Sequence, residues 1–298
     1  MAAVSWLIFA NVCVVKLVGF PAAGRDQSAN MPEFRLNDFL LEKKGCEYMI
    51  KGIMFDMGGT LEDLFFNESN IKRTAHELYA ILQKHGIEVP YGEEELWALV
   101  YPEILRYKEE AEGTLMELKP EQIWADYGFC KVPVDRKKLI EVSEEIAHMW
   151  EVTYFDRSLR KNAAEMLAGL KELGLYVCAV SNTASLFQVF DTLEQYGVRQ
   201  YFDDITLSSI VGYRKPHPYI FQIALCQARL KAEECAFVGD TLSRDVVGPR
   251  KMGYGRVFKI NAMLTPLKDR GNYGAFAPDY EVTDIYDVYR ILNDELKQ

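Results

Sequence analysis

The chain has 298 residues, 49% of them hydrophobic and 26% charged, the make-up of a folded globule and not of a disordered or fibrous chain. Its net charge of −10, with no long Lys/Arg run, argues against a nucleic-acid surface. The length suits one large domain or a core carrying an inserted module.

Residues 2–15 are uncharged and mostly apolar, and Lys16 and FPAAG follow. A targeting or anchoring segment within residues 1–24 would send the protein out of the cell or onto a membrane. That pattern is incomplete, because the stretch has no basic start and Lys16 interrupts any span. The preferred reading is a non-native, poorly ordered extension over 1–48, followed by a cytoplasmic core that begins at Met49 and makes no membrane contact.

Six cysteines, Cys13, Cys46, Cys130, Cys178, Cys226 and Cys235, form no CxxC pair and no cluster with histidine. No zinc site is visible; Cys178 and Cys235 read as small core hydrophobes in a reducing compartment.

The elements start at Ile50. The run from Ile50 to Asp56 ends in a turn at Gly58-Gly59, as a buried parallel strand would. Ile71, Ala75, Leu78, Tyr79 and Leu82 share one face, which predicts an amphipathic helix over 71–86 stopped at Gly86. Charged periodic segments punctuated by Pro90, Pro102, Pro120 and Pro133 continue to Glu151 without a clear strand, and read as a helical insertion. A helix through Leu159, Ala163, Met166, Leu167, Leu170 and Leu173 ends at Gly174. Strands are expected at Leu175–Val180, Ile205–Leu207, Ala236–Val238 and Arg256–Ile260, and a helix at Pro218–Leu230. Strands that alternate with helices and end in polar residues describe an α/β fold, a doubly wound parallel sheet whose crevice lies at the strand ends.

Polar signals fall at those ends: Asp56, then Ser181-Asn182, then Lys215 in VGYRKPHPYIF, then Asp240 and Asp245 in GDTLSRD. Each alone has a bland reading as a turn residue, a solvated lysine or an acid at a helix start. The ordered set is harder to explain by packing.

FDMGGTLED, VSN, GYRKPHP and VGDTLSRDVVGPRKMG resemble the motifs of the haloacid-dehalogenase-like hydrolase superfamily, over roughly residues 49 to 290. The insertion resembles the cap of its C1-cap branch. The resemblance implies a Rossmann-like core over 49–65 and 155–298, a helical cap over 66–154, Mg²⁺ and a phosphorylated-aspartate intermediate. Asp56 would be the nucleophile and, with Asp240 and the main-chain carbonyl of Gly58, a metal ligand; Asp245 would act from behind or through water. Lys215 would compensate Asp56 and a phosphate oxygen, while Ser181, Asn182 and the backbone of Met57 and Gly59 hold the remaining oxygens. With Mg²⁺ and Lys215 set against three carboxylates, the site is near neutral and does not repel a phosphate dianion. The expected partner is a small phosphorylated metabolite; monomer and homodimer both remain open.

One position departs from the pattern. Phosphatases of the family carry a proton-shuttling aspartate two residues after the nucleophile, where this chain has Gly58. Losing such a group costs about 10² to 10⁴ in rate. The substrate could have a leaving group that departs unprotonated, or be a phosphonate, which would need a cap lysine such as Lys72, Lys84 or Lys108. Another carboxylate could serve, Glu109 or Glu110 of the insertion or Glu62 or Asp63, although the last two read better as a solvated mouth. A slow or inactive relative that binds a phosphorylated ligand or a partner is the third reading. His217 is expected to cap a helix or lie at the surface, and His76, His85 and His148 to be solvated.

Overall fold

The computed structural model describes residues 49–263, 265–269 and 276–297, so the extension read over 1–48 lies outside the described residues. In chain order the strands are β1 (Gly52–Phe55), β2 (Glu62–Phe65), β3 (Asp156–Leu159), β4 (Tyr176–Ser181), β5 (Asp204–Leu207), β6 (Cys235–Gly239), β7 (Arg256–Ile260) and β8 (Tyr280–Val282). Six of them form a parallel sheet in the order β5-β4-β1-β6-β7-β8. This is the doubly wound α/β, Rossmann-like fold that the strand–helix alternation predicts.

Every residue of β1 is buried because helices cover both faces of the sheet. Ile53 and Phe55 pack with Leu167, Leu170, Val288 and Leu292, from the helices Ala163–Glu172 and Tyr286–Glu295. Met54, pointing the other way, packs with Ile220, Phe221 and Phe237 around the helix Pro218–Ala228. The unbroken apolar run is what two covered faces require.

The chain leaves β1 for β4 and β5 on one side, then crosses back past β1 to β6 on the other. The winding therefore reverses at β1, and a crevice opens at the carboxyl ends of β4, β1 and β6.

Between β2 and β3 lie α1 (Glu68–Lys84), α2 (Glu93–Thr114), shorter helical turns and the helix Ser143–Thr153. The carboxamide of Asn67 starts α1 by accepting from the Ser69 N–H at 2.9 Å, and Gly86, at φ +59°, follows its end. Leu78, Leu82, Ile104, Trp124 and Trp150 form a separate core within this insertion. Among the described residues no helix is long and apolar enough to cross a membrane.

Three elements differ from the sequence reading. β2 and β3 pair as an antiparallel ribbon, Glu62 opposite Leu159 and Phe65 opposite Asp156. Leu159 thus ends a strand, and the helix predicted through it begins at Ala163. The sequences EDLF and DRSL are only four residues each and do not alternate polar with apolar residues, so neither signals a strand. β8, of three residues, is likewise too short.

Candidate active site

The sheet positions Asp56. Its N–H donates to the Val238 carbonyl at 2.9 Å, extending the β1–β6 ladder by one residue, so its carboxylate leaves at the strand end. The chain then folds back over the Met57 carbonyl, which accepts from the N–H groups of Thr60, Leu61 and Glu62. Gly59 makes the turn at φ +97°, and a Cβ there would stand 2.5 Å from Asp240 Oδ2. Both the backbone conformation and the close approach demand glycine. Within the turn the Gly59 N–H donates to the Glu62 carbonyl at 2.9 Å.

Asp240 follows β6, is fully buried, and accepts a hydrogen bond from the Thr265 hydroxyl at 3.1 Å. Asp245 Oδ2 accepts from the Thr241 N–H at 3.1 Å and the Thr241 hydroxyl at 2.6 Å. Carboxylate oxygens of Asp56, Asp240 and Asp245 lie within 4.8 Å of one another. Lys215 Nζ stands 2.7 Å from Asp56 Oδ1 and 2.7 Å from Asp245 Oδ1. Burial alone would depress the Lys215 ammonium, but Asp245 and Asp56 outweigh it and hold the lysine above its usual range. Burial likewise pushes Asp245 up, and the facing Lys215 charge and the Thr241 hydroxyl bond outweigh that push, leaving it below the usual carboxylate range. Three carboxylates against one ammonium leave a deficit of two charges in an all-oxygen donor set. The chemistry of that set fits a hard dication such as Mg²⁺.

A cavity of about 260 Å³ opens over Asp56 and Asp245, lined also by Met57, Gly58, Ser181 and Asn182. Ser181 is the last residue of β4. The Asn182 carboxamide accepts from the Lys215 N–H at 2.8 Å and donates to the Lys215 carbonyl at 3.1 Å. It fixes the lysine loop with its side chain.

The proposed proton sources fare unevenly. Glu62 is fully buried, paired with Arg157 at 2.8 Å and accepting from the Tyr196 hydroxyl at 3.0 Å, so it is no solvated mouth. Asp63 pairs with Arg160 at 3.2 Å. Glu109 is exposed, and Glu110 is exposed and bonded to Arg106 and Tyr127. Of the lysines named, Lys72 and Lys84 are exposed, Lys84 pairing with Glu145, whereas Lys108 lines the cavity. His217 caps the helix Pro218–Ala228 by accepting from the Tyr219 N–H.

Glu117 and Arg214 were not legible as site residues. Glu117 is buried, accepts from the Ser208 hydroxyl at 2.7 Å and from Tyr107, and pairs with Arg214. Its burial arises only where the segment after α2 docks on the lysine loop, the Glu117 N–H donating to the Gly212 carbonyl at 3.0 Å and the Arg214 N–H to the Leu115 carbonyl at 2.9 Å. The only signal in sequence was the place of Arg214 directly before Lys215.

Comparison with known proteins agrees with this geometry. A family model described as haloacid dehalogenase-like hydrolase matches residues 50–253. A glyceraldehyde 3-phosphate phosphatase of Methanopyrus kandleri is 26% identical over 247 residues, 82% of this chain and 99% of that protein. A solved phosphatase from Thermococcus onnurineus superposes with a TM-score of 0.53 at 21% identity, covering 82% of this chain and 98% of the other. A 2-haloacid dehalogenase from Pseudomonas syringae pv. Tomato DC3000 superposes with a TM-score of 0.58 at 18% identity, covering 83% and 100%. At these identities the two structures show the shared fold. The chain belongs to the haloacid dehalogenase-like hydrolase family. It is a hydrolase of the phosphatase type.

Proposed function

We propose that this hydrolase is a Mg²⁺-dependent phosphatase that acts on a small phosphorylated metabolite through a phosphorylated Asp56, and is slow on simple phosphate monoesters. Asp56, Asp240, Asp245 and the Gly58 carbonyl would hold the ion. When bound, Mg²⁺ would neutralise phosphoryl charge beside the carboxylates. The helices within 66–154 would serve as a cap over a core of 49–65 and 155–298.

The observation that carries the reading is the ammonium of Lys215 set 2.7 Å from both Asp56 and Asp245 beneath the cavity. An Asp56 oxygen attacks phosphorus as the bond to the leaving oxygen breaks, giving an acyl phosphate; water then cleaves that acyl phosphate, releasing phosphate and restoring the carboxylate. Lys215 holds Asp56 in place through the 2.7 Å ion pair, and Ser181 donates to a phosphoryl oxygen. With Gly58 carrying no acid, departure of the leaving oxygen depends on its own basicity.

Acetyl phosphate and ethyl phosphate test this directly. Turnover of acetyl phosphate should exceed that of ethyl phosphate by about tenfold or more, vanish in chelator and vanish in Asp56→Asn. Activity that survives chelation, or an Asp56→Asn variant above a tenth of wild type, would overturn the reading.

A phosphonate hydrolase is the second reading, favoured by the place of Lys108 on the cavity wall. It predicts inactivation by borohydride in the presence of phosphonoacetaldehyde, through an imine on that lysine.

A further inference from the structure

The charges around the cavity are matched almost one for one. Arg214 pairs with Glu117 and, at 2.9 Å, with Glu112, which Arg244 also approaches at 3.6 Å. Arg157 joins Glu62 at 2.8 Å and Glu151 at 3.3 Å. Lys215 joins Asp56 and Asp245.

Lys108, on α2, breaks the rule. Among the described residues its ammonium has no carboxylate at ion-pair distance. It lies over the rings of Trp150 and Tyr154, 5.1 Å and 5.2 Å from their centroids. Aromatic faces hold a cation in place without cancelling its charge. The cavity therefore offers a fixed, unmatched positive group on a wall it shares with the nucleophile.

We propose that Lys108 binds a second anionic group of the substrate, a carboxylate or a second phosphate, so that phosphorylated acids and bisphosphates are preferred to phosphorylated alcohols with neutral tails. This rests on the phosphatase reading of the same site. The cavity volume, about 260 Å³, suits a metabolite of this size.

The groups facing Lys108 support the choice of ligand charge. Burial depresses the ammonium, Arg214 and Arg157 depress it further, and Glu151 and Glu117 offset only part. Those two carboxylates are already held by the arginines. An anion at Lys108 would restore what burial removes, so binding should draw the lysine toward its charged form. The preference is then full while free Lys108 is protonated and declines as pH rises through its depressed value.

The test is calorimetric binding of non-hydrolysable ligands to the full chain in Mg²⁺. Phosphonopropionate and ethylenediphosphonate present the two kinds of anionic tail, and propylphosphonate a neutral one. We expect the anionic ligands to bind about tenfold or more tightly than propylphosphonate, with the stronger of the two identifying the tail. Lys108→Met should collapse that ratio toward one, Lys108→Arg should retain most of it, and the wild-type ratio should fall as pH rises. A ratio near one in the wild type, or one unchanged in Lys108→Met, would overturn the proposal. If Lys108→Met fails to fold, the pH course of the wild-type ratio decides, and a flat course is a negative result. Absence of all phosphatase turnover beside an intact binding ratio would sink the phosphatase reading and leave the Lys108 site standing.

Discussion

The ammonium of Lys215 lies 2.7 Å from Asp56 Oδ1 while only 1% of the lysine side chain is exposed. An ion pair so buried offsets its own desolvation only while both partners are present.

Lys215→Met should therefore damage stability and turnover together. It leaves Asp56 and Asp245 buried without their cation, a loss on the order of 3 to 5 kcal/mol for a pair of this kind. Turnover of acetyl phosphate should fall by about 10² or more, since the charge beside the reacting phosphoryl disappears. Thermal melting with and without Mg²⁺ separates the effects, because a dication should restore part of the stability. Turnover above a tenth of wild type would mean that Lys215 is structural.

Glu62 and Arg157 make another buried pair, at 2.8 Å, with the Tyr196 hydroxyl on the other carboxylate oxygen at 3.0 Å. Glu62→Leu should cost about 3 kcal/mol, as Arg157 loses its nearer carboxylate and keeps only Glu151, at 3.3 Å. A double variant in which Arg157 is also replaced by leucine should recover a large part of that loss. Denaturant melts of the single and double variants check this; additive losses would mean that the two side chains do not act as a pair.

Why Glu62 escaped the sequence reading is instructive. Its neighbours in EDLF look like a solvated turn, and its partners come from residues 95 and 134 positions away. Asp56 and Asp240 were legible because each directly follows an apolar strand, and Lys215 and Asp245 because they sit in GYRKPHP and GDTLSRD, which resemble family motifs. The sheet was legible for the same reason: long apolar runs covered on both faces leave little choice. Arg214, Glu117 and the β2–β3 ribbon depend on which surfaces meet, and no local period encodes that. Lys108 sat between these cases, one of several insertion lysines until α2 placed it on the cavity.

Glu103 supplies a test by pH. On α2 it accepts from Arg106 at 2.8 Å and pairs with Lys131 at 2.5 Å, and those hydrogen bonds hold its carboxyl near about 2, below its ordinary 4.5. The folded value is depressed, so the stabilisation is complete above pH 4.5 and is lost as pH falls toward about 2. Glu103→Gln should be less stable than wild type at neutral pH, and the difference should close across that window. A gap that is constant from pH 6 to pH 3 would exclude the ion pair as its source.

Gly58 stands where a proton-donating aspartate would complete the site, and the backbone can accept one. A Cβ at Gly58 would meet Leu64 Cδ1 at 3.0 Å, a flexible side-chain end, and Glu62 Oε2 only at 4.0 Å. Gly59, by contrast, is held at φ +97° against Asp240. Gly58→Asp should thus fold, with Leu64 giving by a few tenths of an ångström. Its effect should be selective. Protonation helps a leaving group that departs as a strong base, so ethyl phosphate turnover should rise by about tenfold or more and acetyl phosphate turnover far less. Any ion held through the main-chain carbonyl at this position is undisturbed by the new side chain. Steady-state kinetics on both substrates, with Mg²⁺ binding measured separately, give the answer. Equal gains on both would indicate an altered ion site, and no gain in a folded, ion-binding variant would show that another group already delivers the proton.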